Sequence, residues 1–469
     1  MKTPRQKFAP IPIICAIRSP NRFYSFLLLV PFFFFFIVPD GKYDPTTLVF
    51  PAFLHTYGVR KATAKHLFLY MQNRVKVRDP QGIAVTRLDV WDNPKENKDD
   101  DEITVYGVNA GQEAIIYNTS MTAIAVYGLY EKGEKKLSRP GGIAAHRSGE
   151  VYLADTGNNR VVHFFNPGRE LKWVRALSGM SAPRDVCLSA DRTVFVADTG
   201  NNRVLVFRED KLTQTWEEFV SPSGIAATDS TEAWSFHKDN FVIVIDRHGQ
   251  RLQKFTREGR LLKTIAAADI NKPNAKFMYA ALDYYSNVFV TDFSNHCVHK
   301  LDRDLSYLTS YGRQGGGDKE FLEPRGIAIY KRFGQVLIDD RESAQYYWIG
   351  TDVFDFRAAK YPNPALLQLD YFLTETSYVT LEVLDGSEKL LAKPLDKTLR
   401  YAGAQQELLG GNWEPAPTLW MDNQRRYVPA ALQKMPPISA GKYTLRLTIS
   451  ATYSSYKYFA KTVETTVNM

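Results

Sequence analysis

The amino-acid sequence predicts an all-β protein, and three observations support that fold class. The segment ADTGNNRVVHF (residues 154–164) recurs almost unchanged as ADTGNNRVLVF (residues 197–207). The C-terminal part alternates apolar and polar residues, and a charge-free apolar run occupies residues 23–39. Together these features predict a six-bladed β-propeller followed by a C-terminal β-sandwich, with an N-terminal hydrophobic signal or anchor helix.

The repeated segment occurs five times along the chain, and the later copies match the pattern less well. The copies are VYLADTGNNRVVHF, VFVADTGNNRVLVF, VIVIDRHGQRLQKF, VFVTDFSNHCVHKL and VLIDDRESAQYYWI. Its aspartates are spaced 43, 48, 46 and 48 residues apart: Asp155, Asp198, Asp246, Asp292 and Asp340. A weaker sixth copy, ITVYGVNAGQEAIIY, precedes them. A period of this length holds four short strands, which is typical of a propeller blade. We therefore expect six blades within residues 44–357.

Each unit has the pattern of strands separated by a tight turn. Apolar residues at alternate positions, such as Val151, Leu153 and Val161, suit strands with one packed face. Between them, DTGNN offers an aspartate that accepts backbone hydrogen bonds, and Gly and Asn residues that tolerate positive φ. A second marker precedes most copies, as QGIAV, GGIAA, RDVCL, SGIAA and RGIAI.

These residues resemble a known family. The pattern P-x-GIA followed by G-x-VYLADTGNNRVVHF looks like the NHL repeat. Six copies resemble the six-bladed propellers of that family, over roughly residues 50–355. The resemblance implies the fold and leaves the activity open, because this propeller hosts unrelated functions.

The repeated aspartate and the arginine five positions later are predicted to be structural, since a pair needed once in each blade belongs to the scaffold. The two residues flank one turn and can pair with each other or bond the turn backbone. The pairs are Asp155 with Arg160, Asp198 with Arg203, and Asp246 with Arg251. Later copies carry Cys297 and Gln345 in place of the arginine.

The C-terminal region is predicted to be a separate domain. Pro362 and Pro364 suggest a linker at residues 358–365, and residues 366–469 fit a β-sandwich. YVTLEVLDGSEKLL, SAGKYTLRLTIS, Trp420 and Asp422 resemble the FlgD-type immunoglobulin-like domain of bacterial exported proteins. An insertion at residues 394–417 departs from that family. We expect Trp413 and Trp420 to be core residues.

The distribution of charge favours export and disfavours nucleic-acid binding. Of 59 basic and 51 acidic residues, residues 1–43 hold 6 and 1, residues 44–355 hold 40 and 40, and residues 356–469 hold 13 and 10. A neutral central region argues against phosphate contacts. Basic residues followed by the apolar run predict an exported chain whose residues 1–43 are a signal or a membrane anchor.

The sequence contains no complete catalytic motif, and Cys187 and Cys297 are isolated. Relatives of this propeller include lyases and lactonases with metal ligands around the channel. In the amidating lyases a histidine follows the repeat aspartate by four positions, and here only His296 does so; His146 is a second candidate ligand. Two histidines in separate blades do not make a three-ligand site. We expect no cofactor. The alternatives are a zinc or calcium ion, the latter at the acidic residues 92–102.

A binding module remains. The residues just before each innermost strand lie at one rim of a propeller channel, and they are candidate ligand-binding residues: Gln81, Arg184, Ser223 and Arg325. The two arginines suit an acidic peptide or glycan, or these residues close loops between blades. The sequence thus favours a non-enzymatic binding or scaffold protein of the bacterial cell envelope with a protein or glycan partner. The alternative is a metal-dependent lyase or lactonase acting in the channel.

Overall fold

A computed structural model describes residues 45–51, 60–91, 103–120, 123–361, 366–421 and 424–469. The predicted anchor at residues 1–43, the acidic cluster at 92–102 and Asp422 lie outside these residues. Pro45–Met469 forms one compact unit. None of the helices described has the length and apolar character needed to cross a membrane.

The described chain begins with strands β1 (Leu48–Val49) and β2 (Lys61–Thr63) and helix α1 (Ala64–Met71). Four-stranded antiparallel sheets follow in chain order. Sheet 1 consists of β3 (Pro80–Thr86), β4 (Thr104–Asn109), β5 (Ala114–Ser120) and β6 (Ala123–Tyr127). Sheet 2 consists of β7 (Ile143–Ala145), β8 (Glu150–Asp155), β9 (Arg160–Phe165) and β10 (Lys172–Leu177). Sheet 3 consists of β11 (Asp185–Leu188), β12 (Val194–Asp198), β13 (Arg203–Arg208) and β14 (Lys211–Trp216).

Three more sheets complete the series. Sheet 4 consists of β15 (Gly224–Thr228), β16 (Phe241–Asp246), β17 (Arg251–Phe255) and β18 (Leu261–Ala266). Sheet 5 consists of β19 (Phe277–Leu282), β20 (Val288–Asp292), β21 (Cys297–Leu301) and β22 (Tyr307–Tyr311). A short parallel pair, β23 (Arg313–Gln314) and β24 (Glu320–Phe321), leads to sheet 6, whose own strands are β25 (Ile327–Tyr330), β26 (Gln335–Asp339) and β27 (Ser343–Ile349).

The first strands of the six sheets contact one another in chain order, and β25 of the last sheet contacts β3 of the first. This closed order around a channel is the architecture of a β-propeller. The N-terminal strand β1 completes sheet 6 by pairing with β27, Leu48 opposite Ile349. The chain therefore closes the ring by joining its beginning to the last sheet.

Alternating apolar residues on the strands fill the spaces between neighbouring sheets. Five of the six spaces contain a cluster of buried side chains, centred for example on Phe164, Val196, Val244, Val290 and Val336. The described residues between sheets 6 and 1 form no such cluster.

Two further sheets form the C-terminal region. Sheet 7 consists of β28 (Val353–Lys360), β29 (Leu367–Leu373) and β32 (Gly403–Leu409). Sheet 8 consists of β30 (Ser377–Leu384), β31 (Leu390–Arg400), β35 (Lys442–Ala451) and β36 (Lys461–Asn468). A hairpin of β33 (Thr418–Met421) and β34 (Gln424–Tyr427) precedes the short helix α2 (Pro429–Leu432).

One core lies between sheets 7 and 8, with Leu369, Leu381 and Leu447 fully buried. Trp413 packs against this core, its ring 4.7 Å from that of Tyr443. The first C-terminal strand differs from the predicted boundary, because β28 begins before residue 358 and pairs with β29. Alternation along β28 gives it a face that packs on this core, so it belongs to sheet 7.

The C-terminal region packs on sheets 5 and 6. Lys300 of β21 forms a buried ion pair with Glu375, beside the buried carboxyl of Asp283. Burial raises the pKa of Glu375 to about 8, although the ammonium of Lys300 opposes that shift. The hydroxyls of Tyr285 and Thr452 lie 2.8 Å apart across the same contact.

Candidate functional site

The channel between the six innermost strands contains a cavity of about 460 Å³, and every sheet from 1 to 6 contributes to its wall. The wall is made of small and apolar side chains because the innermost strands repeat the GIA marker. The lining residues of these strands include Val85, Ala144, Cys187, Ala227 and Ile329. Burial raises the pKa of the Cys187 thiol to about 12, so this cysteine is a neutral wall residue.

One end of this cavity, where the innermost strands begin, is closed by Asp185 and Tyr279. Asp185 is 4% exposed, and its two carboxylate oxygens accept hydrogen bonds from the backbone amides of Val186 (2.9 Å) and Ile225 (2.8 Å). The Tyr279 hydroxyl of sheet 5 donates to Gln81 Oε1, 3.3 Å away at the start of sheet 1. Since sheets 5 and 1 are not neighbours, this bond spans the end of the channel.

Burial raises the pKa of Asp185 to about 8, against the two amide hydrogen bonds, which lower it. A carboxyl with this pKa is largely protonated at neutral pH, so Asp185 itself adds little negative charge to the closed end. The residue occupies the position that is glycine in four other copies: Gly82, Gly142, Gly224 and Gly326. Asp185 thus places a side chain at a position where four other innermost strands have only backbone atoms.

The closed end is also where neighbouring sheets are joined. Gly82 N donates to Gly141 O (3.2 Å), and Gly142 N donates to Arg184 O (2.7 Å). Arg325 donates to Pro80 O (2.9 Å) and pairs with Asp79, which links sheet 6 to sheet 1. The glycines permit this approach, because a Cβ at Gly326 would lie 2.4 Å from Gln81 O.

The four predicted rim residues all lie at this closed end, and the structure brings two of them together. Gln81 and Arg325 both bond Asp79, with a Gln81 Nε2 to Asp79 Oδ1 distance of 3.1 Å. Arg184 is exposed, and the hydroxyl of Ser223 is buried. None of the four lines the cavity. In this structure Arg325 and Gln81 hold the ring closed.

The other end of the channel, which we call the open end, lies where the innermost strands finish and carries most of the charged lining residues. Its cationic lining residues are Arg87, Arg147, Lys331 and Arg332, with the imidazole of His146 among them. Three of them have partners: Arg147 pairs with Asp89, Lys331 pairs with Glu232 at 3.2 Å, and the Arg332 guanidinium lies 4.9 Å from the Trp234 ring. Trp234 itself is 38% exposed. Cations beside an exposed aromatic ring suit an acidic ligand with an apolar face.

The two candidate metal ligands lie apart. His146 lines the open end, where its Nδ1 is 2.8 Å from Ser148 Oγ, and burial lowers its pKa. His296 lies in the turn between β20 and β21, outside the channel lining, and its Nδ1 accepts a hydrogen bond from Glu323 N at 3.0 Å. The structure therefore does not bring them into one site.

In the described ranges, only one group of three side chains has the spacing of metal ligands: Asp292, Cys297 and His299 in sheet 5. His299 Nε2 lies 2.9 Å from Asp292 Oδ2, and its Nδ1 lies 2.7 Å from Ser310 Oγ. Burial would raise the pKa of Asp292, but hydrogen bonds from His299 and Asn295 outweigh it and lower the pKa. In sheet 5, His299 therefore bonds the repeat aspartate, as arginine does in earlier copies.

In the repeat turns of sheets 2, 3 and 4, the arginine bonds the repeat aspartate. Arg160 Nε donates to Asp155 Oδ2 at 2.7 Å, while Ser138 N donates to Asp155 Oδ1, also at 2.7 Å. Arg203 and Asp198 repeat this geometry at 2.7 Å, and Arg251 pairs with Asp246. All three aspartates are fully buried. Each pair ties the turn to the segment before the innermost strand of its own sheet.

Sequence reasoning missed Asp185, Tyr279 and the open end around Lys331. For Asp185 a signal was available, because RDVCL replaces the glycine of the GIA marker by a carboxylate. For Tyr279 and Lys331 no pattern in one sequence indicates that side chains of distant blades meet.

Comparison with known proteins supports the propeller. Residues 137–164 and 180–207 match the NHL repeat family, and they contain the two best copies, in sheets 2 and 3. The chain therefore contains NHL repeats, and its fold is a β-propeller. No curated protein matches the chain in sequence.

Solved structures of propeller enzymes are similar at low identity. A virginiamycin B lyase from Staphylococcus aureus has 15% identity and a TM-score of 0.39, covering 52% of this chain and 77% of that one. A gluconolactonase from Xanthomonas campestris has 13% identity and a TM-score of 0.42, with coverages of 65% and 95%. A PQQ-bound aldose sugar dehydrogenase from Streptomyces coelicolor has 10% identity and a TM-score of 0.39, with coverages of 58% and 94%. Likenesses this weak say nothing about what this chain binds.

Proposed function

We propose that this protein is a binding or scaffold protein of the bacterial cell envelope, and that the open end of its channel binds an acidic glycan or an acidic peptide. The observation that carries the proposal is the contrast in charge along one cavity. The closed end is capped by the buried Asp185 carboxyl, whose oxygens accept backbone hydrogen bonds. Arg147, Lys331 and Arg332 line the open end, where Arg147 pairs with Asp89 and Lys331 pairs with Glu232. A cavity with one cationic mouth concentrates anionic ligands.

The finer architecture follows from the same observations. The six sheets and their closed order support a six-bladed NHL-type propeller. Sheets 7 and 8, with a common core, support an immunoglobulin-like sandwich of the FlgD type. The basic and apolar residues of the leader support export, with the protein either anchored in the membrane or secreted.

A metal-dependent lyase or lactonase is the alternative, and the geometry favours it less. Such an enzyme needs about three metal ligands converging in the channel. Within the described part of the chain, the only three-ligand group belongs to a turn of sheet 5, where hydrogen bonds already occupy the Asp292 carboxylate. The channel lining offers His146, Asp185 and Glu232 on three different sheets.

The proposal is tested by titrating the purified protein with oligogalacturonate and with polyglutamate, using neutral oligosaccharides as the reference. We expect at least one acidic probe to bind and Lys331→Glu with Arg332→Glu to weaken it at least about tenfold, because two cations become anions. The matched control is Lys434→Glu with Lys442→Glu, which changes the net charge equally on exposed residues of the C-terminal region.

Metal content measured by mass spectrometry after dialysis separates the two functions. A metal-free protein that binds an acidic probe at the open end supports the binding module. A tightly held zinc or calcium ion that His146→Ala removes would instead favour the enzyme. Binding that is equally weakened by the control variant would reflect net charge alone and would contradict the proposed site.

A further inference from the structure

A second cavity, of about 270 Å³, lies between sheets 6 and 1, which we call the closure cavity. Helix α1 covers it through Leu67 and Tyr70, and its wall includes Val105, Ile116 and Leu337. This is the space in which the described residues form no buried cluster. The two faces of sheet 1 therefore differ: residues facing sheet 2, such as Tyr106 and Ile115, are buried, while Val105 and Ile116 are only half-buried.

Several polar side chains of the wall use their hydrogen bonds within the protein. Asn118 Oδ1 accepts from Val105 N (2.7 Å), and its Nδ2 donates to Ile103 O (2.9 Å). Gln345 Nε2 donates to Glu320 O at 2.7 Å. The carboxyl of Asp339 accepts from Gly326 N at 2.6 Å. The wall therefore offers an occupant mainly apolar contact, which suits a hydrocarbon chain.

Helix α1 is unusual for a helix at the surface of a protein. Its sequence is AKHLFLYM, none of its residues is buried, and Phe68 and Leu69 are 51% and 75% exposed. The residues around it are basic. Residues 60–78 contain no aspartate or glutamate and six basic residues: Arg60, Lys61, Lys65, Arg74, Lys76 and Arg78. An apolar helix flanked by lysine and arginine attracts anionic lipids, through apolar contact and through their negative charge.

We propose that the closure cavity binds the acyl chain of a single-chain anionic amphiphile, such as a fatty acid. The chain takes the apolar space under α1, and the basic residues beside α1 attract the carboxylate. This site is separate from the open end of the channel, so the proposal does not depend on the function proposed above.

Glycine 107 allows a direct test. A Cβ at Gly107 would have only the Ile116 carbonyl oxygen near it, at 4.0 Å, so a side chain placed there enters the cavity. Gly386 has the same clearance, with the Lys442 carbonyl oxygen at 4.0 Å, and lies in the C-terminal region. Gly107→Leu therefore fills the cavity, and Gly386→Leu is its matched control.

The experiment titrates the full-length, delipidated protein with dodecanoate below its micelle concentration. We expect saturable binding that Gly107→Leu weakens at least about tenfold by occupying the apolar space and that Gly386→Leu leaves unchanged. Lys76→Glu with Arg78→Glu should weaken dodecanoate binding but leave the binding of dodecyl maltoside unchanged, because only the former carries a carboxylate. Thermal unfolding of each variant shows that it is folded.

Two results would overturn the proposal. If dodecanoate does not bind and Gly107→Leu lowers the unfolding temperature, the protein's own chain fills the cavity. If the protein binds only vesicles of anionic lipid, and Gly107→Leu binds them as the wild type does, then α1 contacts a membrane surface and the cavity holds no acyl chain.

Discussion

The two ends of the channel are built from the same repeat and yet serve different purposes. At the closed end the equivalent position is glycine in four sheets, and these glycines let strands approach and bond one another. At the open end the equivalent positions diverge, with Arg87, Arg147 and Lys331 in three of the sheets. The repeated glycines therefore lie at the end that holds the ring together. The residues that differ between copies lie at the end where we propose that a ligand binds.

The largest expected effect is at the closed end. Gly326→Ala would place a Cβ 2.4 Å from Gln81 O and 2.8 Å from Ile83 N, both backbone atoms that cannot rotate away. We expect a loss of about 3 kcal/mol of unfolding free energy, since the contact between sheets 6 and 1 must open. Urea denaturation followed by circular dichroism measures it.

Gly107→Ala is the control for that substitution, because it adds the same methyl group to sheet 1 where the nearest atom is 4.0 Å away. Its unfolding free energy should match the wild type or exceed it by about 0.5 kcal/mol. Equal stabilities of the two variants would mean that the closed end does not hold the ring together.

The next largest expected effect is the contribution of Asp185 to the pH dependence of the unfolding free energy. Because the folded pKa is raised to about 8 and the unfolded one is about 3.9, the folded state binds more protons between these values. The contribution of Asp185 is therefore fully present below about pH 4 and is lost as pH rises to about 8. Asp185→Asn should flatten the dependence by up to about 1.4 kcal/mol per pH unit.

Unfolding free energies measured at about pH 5 and about pH 8 test this, with Asp185→Asn compared to the wild type at each. Glu375, whose pKa is likewise raised to about 8, gives a slope of the same sign and is present in both proteins. The difference between the two proteins therefore reports Asp185. Parallel pH profiles would show that its carboxyl is ionised in the folded state.

Much of the propeller could be predicted from the sequence because its information is local. A turn of five residues needs Asp155 and Arg160 at a fixed separation, and that separation is visible in the chain. The spacing of successive copies then indicates the length of one blade. The boundary near residue 358 was harder, because β28 alternates in the same way as a propeller strand and only its pairing with β29 assigns it to sheet 7.

The site could not be predicted in the same way because it consists of contacts between blades. Tyr279 and Gln81 are 198 positions apart, and their bond depends on the closure of the whole ring. The four residues predicted from the x-GIA register lie at one end of the channel, and one of their two arginines, Arg325, is paired with Asp79. Lys331 shares the register of Arg87 and Arg147, but that register does not indicate that its side chain pairs with Glu232, which lies 99 positions away.

The smallest expected effect comes from making the same substitution, arginine to methionine, at each end of the channel. Arg325→Met at the closed end removes hydrogen bonds to Asp79 and to Pro80 O from a side chain that is 11% exposed, and it should cost about 1.5 kcal/mol. Arg332→Met at the open end loses the contacts of the guanidinium with the Trp234 and Phe333 rings and should cost about 0.5 kcal/mol or less. Both variants carry the same change in charge and in shape, so the difference between their unfolding free energies measures location alone. A larger loss of unfolding free energy for Arg332→Met would mean that the open end also holds the ring together. The proposed difference between the two ends would then be wrong.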